Sequence, residues 1–131
     1  MRATDLLEKL AHEQREWIEP HKGLFIGPLA DEDHWEVRLQ VVRALPLFSW
    51  SPAEKKRVVE ILLRDAEHPQ KFVRAWAVDS LAQFAEKDRE LLPEVHRCLR
   101  GFERSGSKAL MSRGRQIQVR MAGSAGERKA R

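Results

Sequence analysis

The stretch WEVRLQVVRAL at residues 35–45 returns 36 residues later as KFVRAWAVDSL at residues 71–81. The residues that coincide under this shift are apolar or basic: Val37 with Val73, Arg38 with Arg74, Val42 with Val78 and Leu45 with Leu81. The same shift extends into the next segment, where it superposes Glu54 on Glu90, Val59 on Val95, Leu62 on Cys98 and Leu63 on Leu99. Self-similarity at a fixed period is the signature of a repeat architecture. The sequence therefore predicts one structural unit that is used more than once.

Each copy has the apolar spacing of an amphipathic helix. Apolar residues recur every three or four positions, as Val37, Val41, Leu45 and Phe48 in the first copy and Val73, Ala77, Leu81 and Phe84 in the second. This period places the side chains on one face of a helix, which is then buried against other helices. No segment has the alternation of a strand, so we expect an all-α fold.

Capping residues predict where the intervening helices begin. Ser51 supplies an N-cap, Pro52 a first-turn proline and Glu54 the acid of a capping box, so a helix should start there and run to about residue 65. Asp88 repeats the capping role for a helix that continues to about residue 102. Proline or glycine marks the turns between helices, at residues 45–46, 67–69 and 105–107.

The two ends of the chain are less regular than its centre. Residues 3–19 predict a helix that would cap the stack, and the glycines and proline that follow predict a short, broken helix up to residue 31. Residues 121–131 lack an apolar period and contain two glycines. We therefore expect a repeat domain over residues 1–120 and a basic, flexible tail over residues 121–131.

The composition is that of a globular protein. Of 131 residues, 42% are hydrophobic and 34% are charged, which suits one domain. No apolar run reaches the roughly 20 residues of a membrane span, and the charged amino terminus lacks the pattern of a secretory signal. We therefore expect a cytoplasmic protein with no membrane partner. Cys98 is the single cysteine, and we interpret it as a small buried hydrophobe.

The net charge of +4 is unevenly distributed along the chain. Residues 104–131 contain eight Lys and Arg and one acid, whereas residues 1–103 contain sixteen bases and nineteen acids. Any basic surface is therefore expected near the carboxyl end.

The order of these features resembles the HEAT-repeat family, in which an outer helix is followed by an aspartate in the turn and by Val-Arg at the start of the inner helix. Asp31 precedes Val37-Arg38, and Asp65 precedes Val73-Arg74. A third copy departs from the pattern, with Arg104 in the turn and Leu110-Met111 after it. The resemblance implies a short α-solenoid of about three helix pairs with an N-terminal cap helix. It also implies a ladder of aspartate and arginine contacts between neighbouring repeats.

In such a stack the inner helices bury one face and present the opposite face to a concave groove. The residues predicted to bind a partner on this surface are Arg43, Trp76, Asp79, Gln83 and Arg113. Trp76 stands where the first copy has Gln40, and Trp and Arg are frequent energetic centres of interfaces. Two interpretations of Trp76 stay open, contact with a partner and packing against a neighbouring inner helix. Asp79 and Arg43 are predicted to form a surface ion pair.

The chain has no residue pattern typical of catalysis. Its five histidines lack the spacing of metal ligands, and no nucleophile elbow or phosphate loop is present. We therefore expect no catalytic residue, no metal and no cofactor. Trp76 and Asp79 are similar in type to the site of HEAT-like DNA-alkylation-repair proteins, but the chain is short for that group. The remaining tryptophans are expected to cover the edges of the core, and these are Trp17, Trp35 and Trp50.

Two functions are compatible with these features. The first is a noncatalytic scaffold that binds a protein or peptide partner on its concave surface. The alternative is a nucleic-acid-binding protein that uses the basic third repeat and tail. The sequence does not indicate an oligomeric state.

Overall fold

The computed structural model describes residues 19–130, and the side chains of residues 20–123. Within this range the fold is all-α, with no strand. The α-helices are α1 (Gly23–Ile26), α2 (Trp35–Ala44), α3 (Pro52–Asp65), α4 (Lys71–Ala85), α5 (Leu92–Arg104) and α6 (Lys108–Ala130). Short 3-10 helices lie at Glu19–His21, Leu45–Leu47 and Arg89–Leu91. None of the helices in this part of the chain has the length and apolarity needed to cross a membrane. The cap helix predicted for residues 3–19 lies outside the described residues, apart from residue 19.

The chain divides into two compact units, one ending at Ser80 and the other beginning at Leu81. The division falls within α4, so that helix contributes its first ten residues to the first unit. The prediction of one repeat domain over residues 1–120 stays a prediction.

The core of the first unit combines most of the predicted apolar stripe of α2 and the first part of that of α4 with apolar residues of α1 and α3. Its fully or almost fully buried side chains are Phe25, Val41, Val42, Leu45, Phe48, Val58, Ile61, Leu62, Val73, Ala77 and Val78. Val37 is only half-buried, because it lies in the first turn of α2. Each buried aliphatic or aromatic side chain contributes about 1.5–3 kcal/mol to the free energy of folding. Apolar burial therefore holds α1 to α4 in place.

The start of α3 is fixed by the predicted capping box. The Ser51 backbone N–H donates to Glu54 Oε1 at 3.0 Å, and the Glu54 backbone N–H donates to Ser51 Oγ at 3.2 Å. The N–H group of Ser51, then its hydroxyl, lowers the pKa of the Glu54 carboxyl, because both favour the charged form. The helix runs from Pro52 to Asp65, as the sequence predicts.

Asp65 forms a buried polar centre at the end of α3. Its side chain is 0% exposed, and its Oδ1 accepts a hydrogen bond from Arg38 Nη2 of α2. Arg64 adds donations of 3.1 Å from Nε to Oδ1 and 3.3 Å from Nη2 to Oδ2. Two cations therefore compensate the cost of burying this charge. The Arg38–Asp65 pair joins an aspartate and an arginine of the kinds that the resemblance names, whereas the ladder between repeats stays a prediction.

Asp31 is held differently, by arginines of α3. Arg57 Nη2 donates to Asp31 Oδ1 at 3.0 Å, and Arg57 Nε donates to the carbonyl of Ile26 at 3.1 Å. Arg64 Nη2 donates to the carbonyl of Ala30 at 2.5 Å. These bonds secure the loop that leads into α2.

The second unit contains the end of α4 together with α5 and α6. Its buried apolar side chains are Leu81, Ala82, Ala85, Val95, Leu99, Phe102, Leu110 and Ile117. Asp88 caps this segment as predicted, accepting from the Glu90 N–H at 3.3 Å. The first turn is a 3-10 helix, however, and the α-helix begins only at Leu92.

Two features of the second unit differ from expectation. Cys98 is half-buried and not fully buried. The backbone of α6 is helical to Ala130, although the sequence predicted no helix beyond residue 120. The segment contains no proline, and an isolated glycine costs a helix only about 1 kcal/mol, so its glycines do not end the helix. The flexibility of residues 121–131 stays a prediction.

Candidate interaction surface

The structure distributes the five predicted binding residues over both units. Arg43 lies in the last turn of α2, and Trp76 and Asp79 lie on α4, all in the first unit. Gln83 and Arg113 belong to the second unit, where each is half-buried. The geometry of the site is therefore described for the first unit alone.

Arg43 and Trp76 form a contact between α2 and α4. The guanidinium carbon of Arg43 lies 4.9 Å from the centre of the Trp76 ring system, and both side chains are half-buried. A cation over an indole face at this distance is attracted by the negative face of the ring. Trp76 is thus packed against a residue of the neighbouring helix.

Asp79 lies below the surface. It is only 6% exposed, and the next residue, Ser80, is fully buried. Ser80 Oγ donates to the carbonyl of Val42 at 2.5 Å, which holds this part of α4 close to the backbone of α2. Close helix packing therefore buries the Asp79 carboxylate, which does not lie at the surface as the sequence predicts. The predicted pairing of Asp79 with Arg43 stays a prediction. Asp79 offers no surface charge to a partner.

The largest exposed rings of the first unit are residues that the sequence interpretation did not assign to a site. Trp35 is 37% exposed and Phe72 is 62% exposed. Their ring centres lie 6.3 Å apart with an interplanar angle of 22°, a stacked arrangement. The prediction that Trp35 covers the core edge stays a prediction, since a partly exposed ring can still cover the core from one side. Trp35 opens α2, and helical side chains lean toward the amino terminus, so its ring extends past the start of the helix.

Trp50, in contrast, fulfils the expected role at the core edge. Its indole Nε1 donates to the carbonyl of Leu45 at 2.8 Å, and its ring meets Phe48 edge-on at 5.8 Å. Trp17 lies outside the described residues.

The spacing of the residues places the stacked rings and the Arg43–Trp76 pair on the same faces of α2 and α4. Trp35, Leu39 and Arg43 are spaced four residues apart on α2, and Phe72 and Trp76 are spaced four apart on α4. Residues four apart lie on the same face of a helix, and the two ring contacts join α2 to α4 at two levels. We call these five residues the aromatic face. Steps of four residues toward the amino terminus lead from Trp76 to Phe72 and from Arg43 through Leu39 to Trp35. This spacing is the sequence signal that places Phe72 and Trp35 on the same helix faces as the predicted site residues.

Acidic residues border one end of the aromatic face. Residues 31–36 contain four acids and no Lys or Arg. Glu32 and Asp33 are exposed and form no salt bridge within the described part of the chain. The N-cap of α2 is His34, which makes no capping bond through its side chain. Acidic side chains therefore precede Trp35 along the chain, whereas the exposed Lys71 precedes Phe72.

The second unit carries the opposite charge. Residues 81–131 contain twelve Lys and Arg and six acids, a net charge of +6, whereas residues 1–80 have a net charge of −2. Some of the cations are paired within the unit, as in Arg97 with Glu94 at 2.5 Å and Arg120 with Glu86 at 3.6 Å. Others, including Arg100, Arg104 and Arg115, are exposed.

The described residues contain no group of three or more His, Cys, Asp or Glu side chains placed to hold a metal ion. Comparison of the whole chain with family models, curated proteins and solved structures gave no match.

Proposed function

We propose that this protein is a noncatalytic interaction module that binds another protein or peptide through the aromatic face. The observation that carries this proposal is the stacked pair of Trp35 and Phe72, which exposes two large rings at the surface of the first unit. Burial of such rings against a partner would release apolar surface from water. Aromatic and arginine side chains at the centre of a surface are also the residues that most often dominate binding energy.

The aromatic face is already ordered before a partner arrives. Trp35 and Phe72 are stacked on each other, and Arg43 lies over Trp76. A rigid surface loses little side-chain entropy on binding, so more of the contact energy appears as affinity. This favours recognition of a partner by a preformed surface.

We further infer that the helices belong to a HEAT-type α-solenoid in a cytoplasmic protein. The 36-residue repeat and the Arg38–Asp65 pair support the solenoid. The single free cysteine suits a reducing compartment.

A capture experiment tests the proposed function. The immobilised protein is incubated with an extract of its native cells, and retained proteins are identified by mass spectrometry and then purified for direct titration. Phe72→Ser should abolish retention of the partner and weaken its titrated affinity at least tenfold. The matched control is Val119→Ser, since Val119 is 74% exposed but lies in the second unit. Equal recovery by the wild type and the Phe72 variant would contradict the proposal.

The charge of the second unit supports nucleic-acid binding as a second candidate function. A net charge of +6 with exposed arginines on α5 and α6 suits contacts with phosphate groups. Titration of labelled duplex and single strands at two salt concentrations separates the two candidates. If the protein binds phosphate groups, its affinity for the strands should fall steeply as the salt concentration rises. The double variant Arg104→Gln with Arg115→Gln should also bind the strands more weakly than the wild type. Absence of binding at low salt would exclude this candidate.

A further inference from the structure

We propose that the aromatic face receives a cationic segment of its partner, with a Lys or Arg side chain lying over the Trp35–Phe72 rings and beside Glu32 and Asp33. This inference rests on the proposed function and adds the chemistry of the partner.

The first support comes from the other tryptophans of the chain. Each of the two remaining described tryptophans has a cation over its ring: Arg43 over Trp76 at 4.9 Å and Lys22 over Trp50 at 5.2 Å. Trp35 has no such cation within the described residues, and its ring is stacked on Phe72 instead. Indole is the aromatic group that attracts cations most strongly. Trp35 is therefore the described indole that has room to accept a cation from outside.

The second support is the charge beside these rings. Glu32 and Asp33 are exposed and make no salt bridge within the described range. Asp31, in contrast, is engaged by Arg57 and Arg64. The two exposed acids are therefore accessible to a ligand.

Stabilisation of the start of α2 does not explain the presence of Glu32 and Asp33. Acids near the start of a helix stabilise it through its dipole by about 0.3–1 kcal/mol, mainly from the first turn. Glu36 occupies that turn, whereas Glu32 and Asp33 precede the N-cap position, which His34 fills. Neither acid accepts a capping hydrogen bond among the described residues.

The remaining charges near the rings define where the cation fits. Lys71 precedes Phe72 and is exposed, and Arg43 lies two turns farther along α2. Both would repel a cation, so we place it at the side of Trp35 toward Glu32 and Asp33, which precede that residue by three and two positions in the chain. The whole chain carries +4, which opposes nonspecific binding of basic peptides. Binding of such a peptide therefore requires a local site.

Three labelled peptides of equal length test this proposal by fluorescence anisotropy. They contain four repeats of Ala-Arg-Leu-Gly, the same sequence with citrulline for Arg, and the same with Glu for Arg. Citrulline keeps the shape of arginine without its charge. The arginine peptide should bind about tenfold more tightly than the citrulline peptide, the ratio expected for one partly desolvated cation over a ring with a nearby carboxylate. The glutamate peptide should not bind.

Variants locate the binding site. Trp35→Leu and Phe72→Leu keep apolar side chains, yet each should weaken binding of the arginine peptide about tenfold because the rings are lost. Glu32→Gln with Asp33→Asn should weaken it several-fold and reduce its dependence on salt. The matched control is Glu90→Gln with Glu103→Gln, which removes two exposed acids of the second unit. Circular dichroism confirms that each variant is folded.

Two results would overturn the proposal: equal binding of the arginine and citrulline peptides, or unchanged binding of the arginine peptide to both ring variants. If the partner captured through Phe72 binds without a cationic segment, the partner chemistry is wrong and the proposed function stands. If the Phe72→Ser variant captures the partner as well as the wild type does, the proposed function itself is contradicted. If light scattering shows a dimer that forms as the protein concentration rises and that the Phe72→Leu variant does not form, the aromatic face binds a second copy of the chain. The proposal of a separate cationic partner is then overturned.

Discussion

Asp65 is the residue on which the polar interior of the first unit depends. Its carboxylate is fully buried and accepts from Arg38 and Arg64. The resemblance to HEAT repeats implies that an aspartate in the turn contacts an arginine of an inner helix, as Asp65 contacts Arg38. It does not predict that Arg64 adds a second cation, since that contact depends on the orientation of one side chain at the end of α3.

Replacement of this carboxylate should destabilise the fold. Asp65→Asn removes a charged acceptor from two arginines that keep partial access to water, so we expect a loss of about 2–3 kcal/mol in the free energy of unfolding. Urea denaturation followed by circular dichroism measures this loss. Asp31→Asn serves as the control, because Asp31 is 63% exposed and pairs at the surface, where an ion pair contributes about 0–1 kcal/mol. Equal losses in both variants would contradict a special role for Asp65.

His68 should make the stability of the protein depend on pH. Burial lowers the pKa of His68 below its ordinary value of 6.5, and the charge of Arg38 lowers it further. Its Nδ1 accepts from the Gln70 N–H at 3.0 Å, a bond that requires this nitrogen to be unprotonated. The unfolded chain therefore binds a proton more readily than the folded chain. The stabilisation is complete above pH 6.5 and is lost as the pH falls from 6.5 through the folded pKa.

Two measurements check this dependence. The His68 ring signals in NMR should titrate with a midpoint below 6.5. Unfolding of the wild type and of His68→Gln at pH 7.5 and 5.5 should show a greater acid-induced loss in the wild type. A midpoint at or above 6.5 would contradict this prediction, because it would show that the folded protein binds the proton on His68 at least as readily as the unfolded chain does.

Individual aromatic residues show where sequence reasoning reaches its limit. The repeat places Trp76 on the face opposite the core stripe, and the structure puts it beside Arg43. The four-residue spacing from Arg43 and Trp76 indicates the helix face on which Trp35 and Phe72 lie, but it does not predict their exposure, because both rings stand at the beginnings of helices. The burial of Asp79 was missed for a related reason, since the pattern does not report how closely two helices approach.

At the scale of the helices, local signals predict most boundaries. The capping box fixes the start of α3 at Pro52, and Gly106 ends the α5 segment in a turn with a φ of +73°. The first turn after Asp88 could not be predicted in detail, because a cap does not distinguish a 3-10 turn from an α-helical turn. The extension of α6 to Ala130 was missed because helix propensity alone, without an apolar period, is a weak signal.

The packing of α5 against α6 leads to a prediction at Gly114. A Cβ atom at this buried position would lie 3.6 Å from Phe102 Cδ2 and 3.7 Å from Leu99 Cδ2, which are ordinary contact distances. Gly114→Ala should therefore raise the free energy of unfolding by about 0.5–1 kcal/mol, since alanine suits a helix interior better than glycine. Gly114→Leu should lower it, because the larger side chain does not fit between the helices.

Thermal unfolding of both variants measures these effects. Gly123 provides the control, because a Cβ atom there meets nothing within 4 Å. A destabilising effect of Gly114→Ala would show that α5 and α6 approach more closely than these distances indicate.

At the scale of the whole molecule, the sequence predicts an all-α chain with its positive charge near the carboxyl end. Residues 81–131 carry +6 and residues 1–80 carry −2. The division of the chain at Ser80 could not be predicted, because it falls inside a helix whose apolar stripe continues without a break.

Removal of the carboxyl-terminal segment tests its contribution to the fold. Ile117 is the last buried side chain of α6 among the described residues, and Val119 is 74% exposed. A chain that ends at residue 120 should therefore keep its free energy of unfolding within about 0.5 kcal/mol of the full chain, as for most surface changes. Thermal unfolding by circular dichroism measures the difference. A loss of several kcal/mol would show that residues 121–131 are part of the folded core.

The exposed indole of Trp35 gives the protein a built-in optical reporter. Because Glu32 and Asp33 stand beside this ring, a positively charged quencher such as caesium should reach it more readily than iodide does. A molecule that binds over the rings would then protect the fluorescence of Trp35 from quenching by caesium. Binding of a partner to this surface could thus be followed by tryptophan fluorescence, without attaching a dye to the protein.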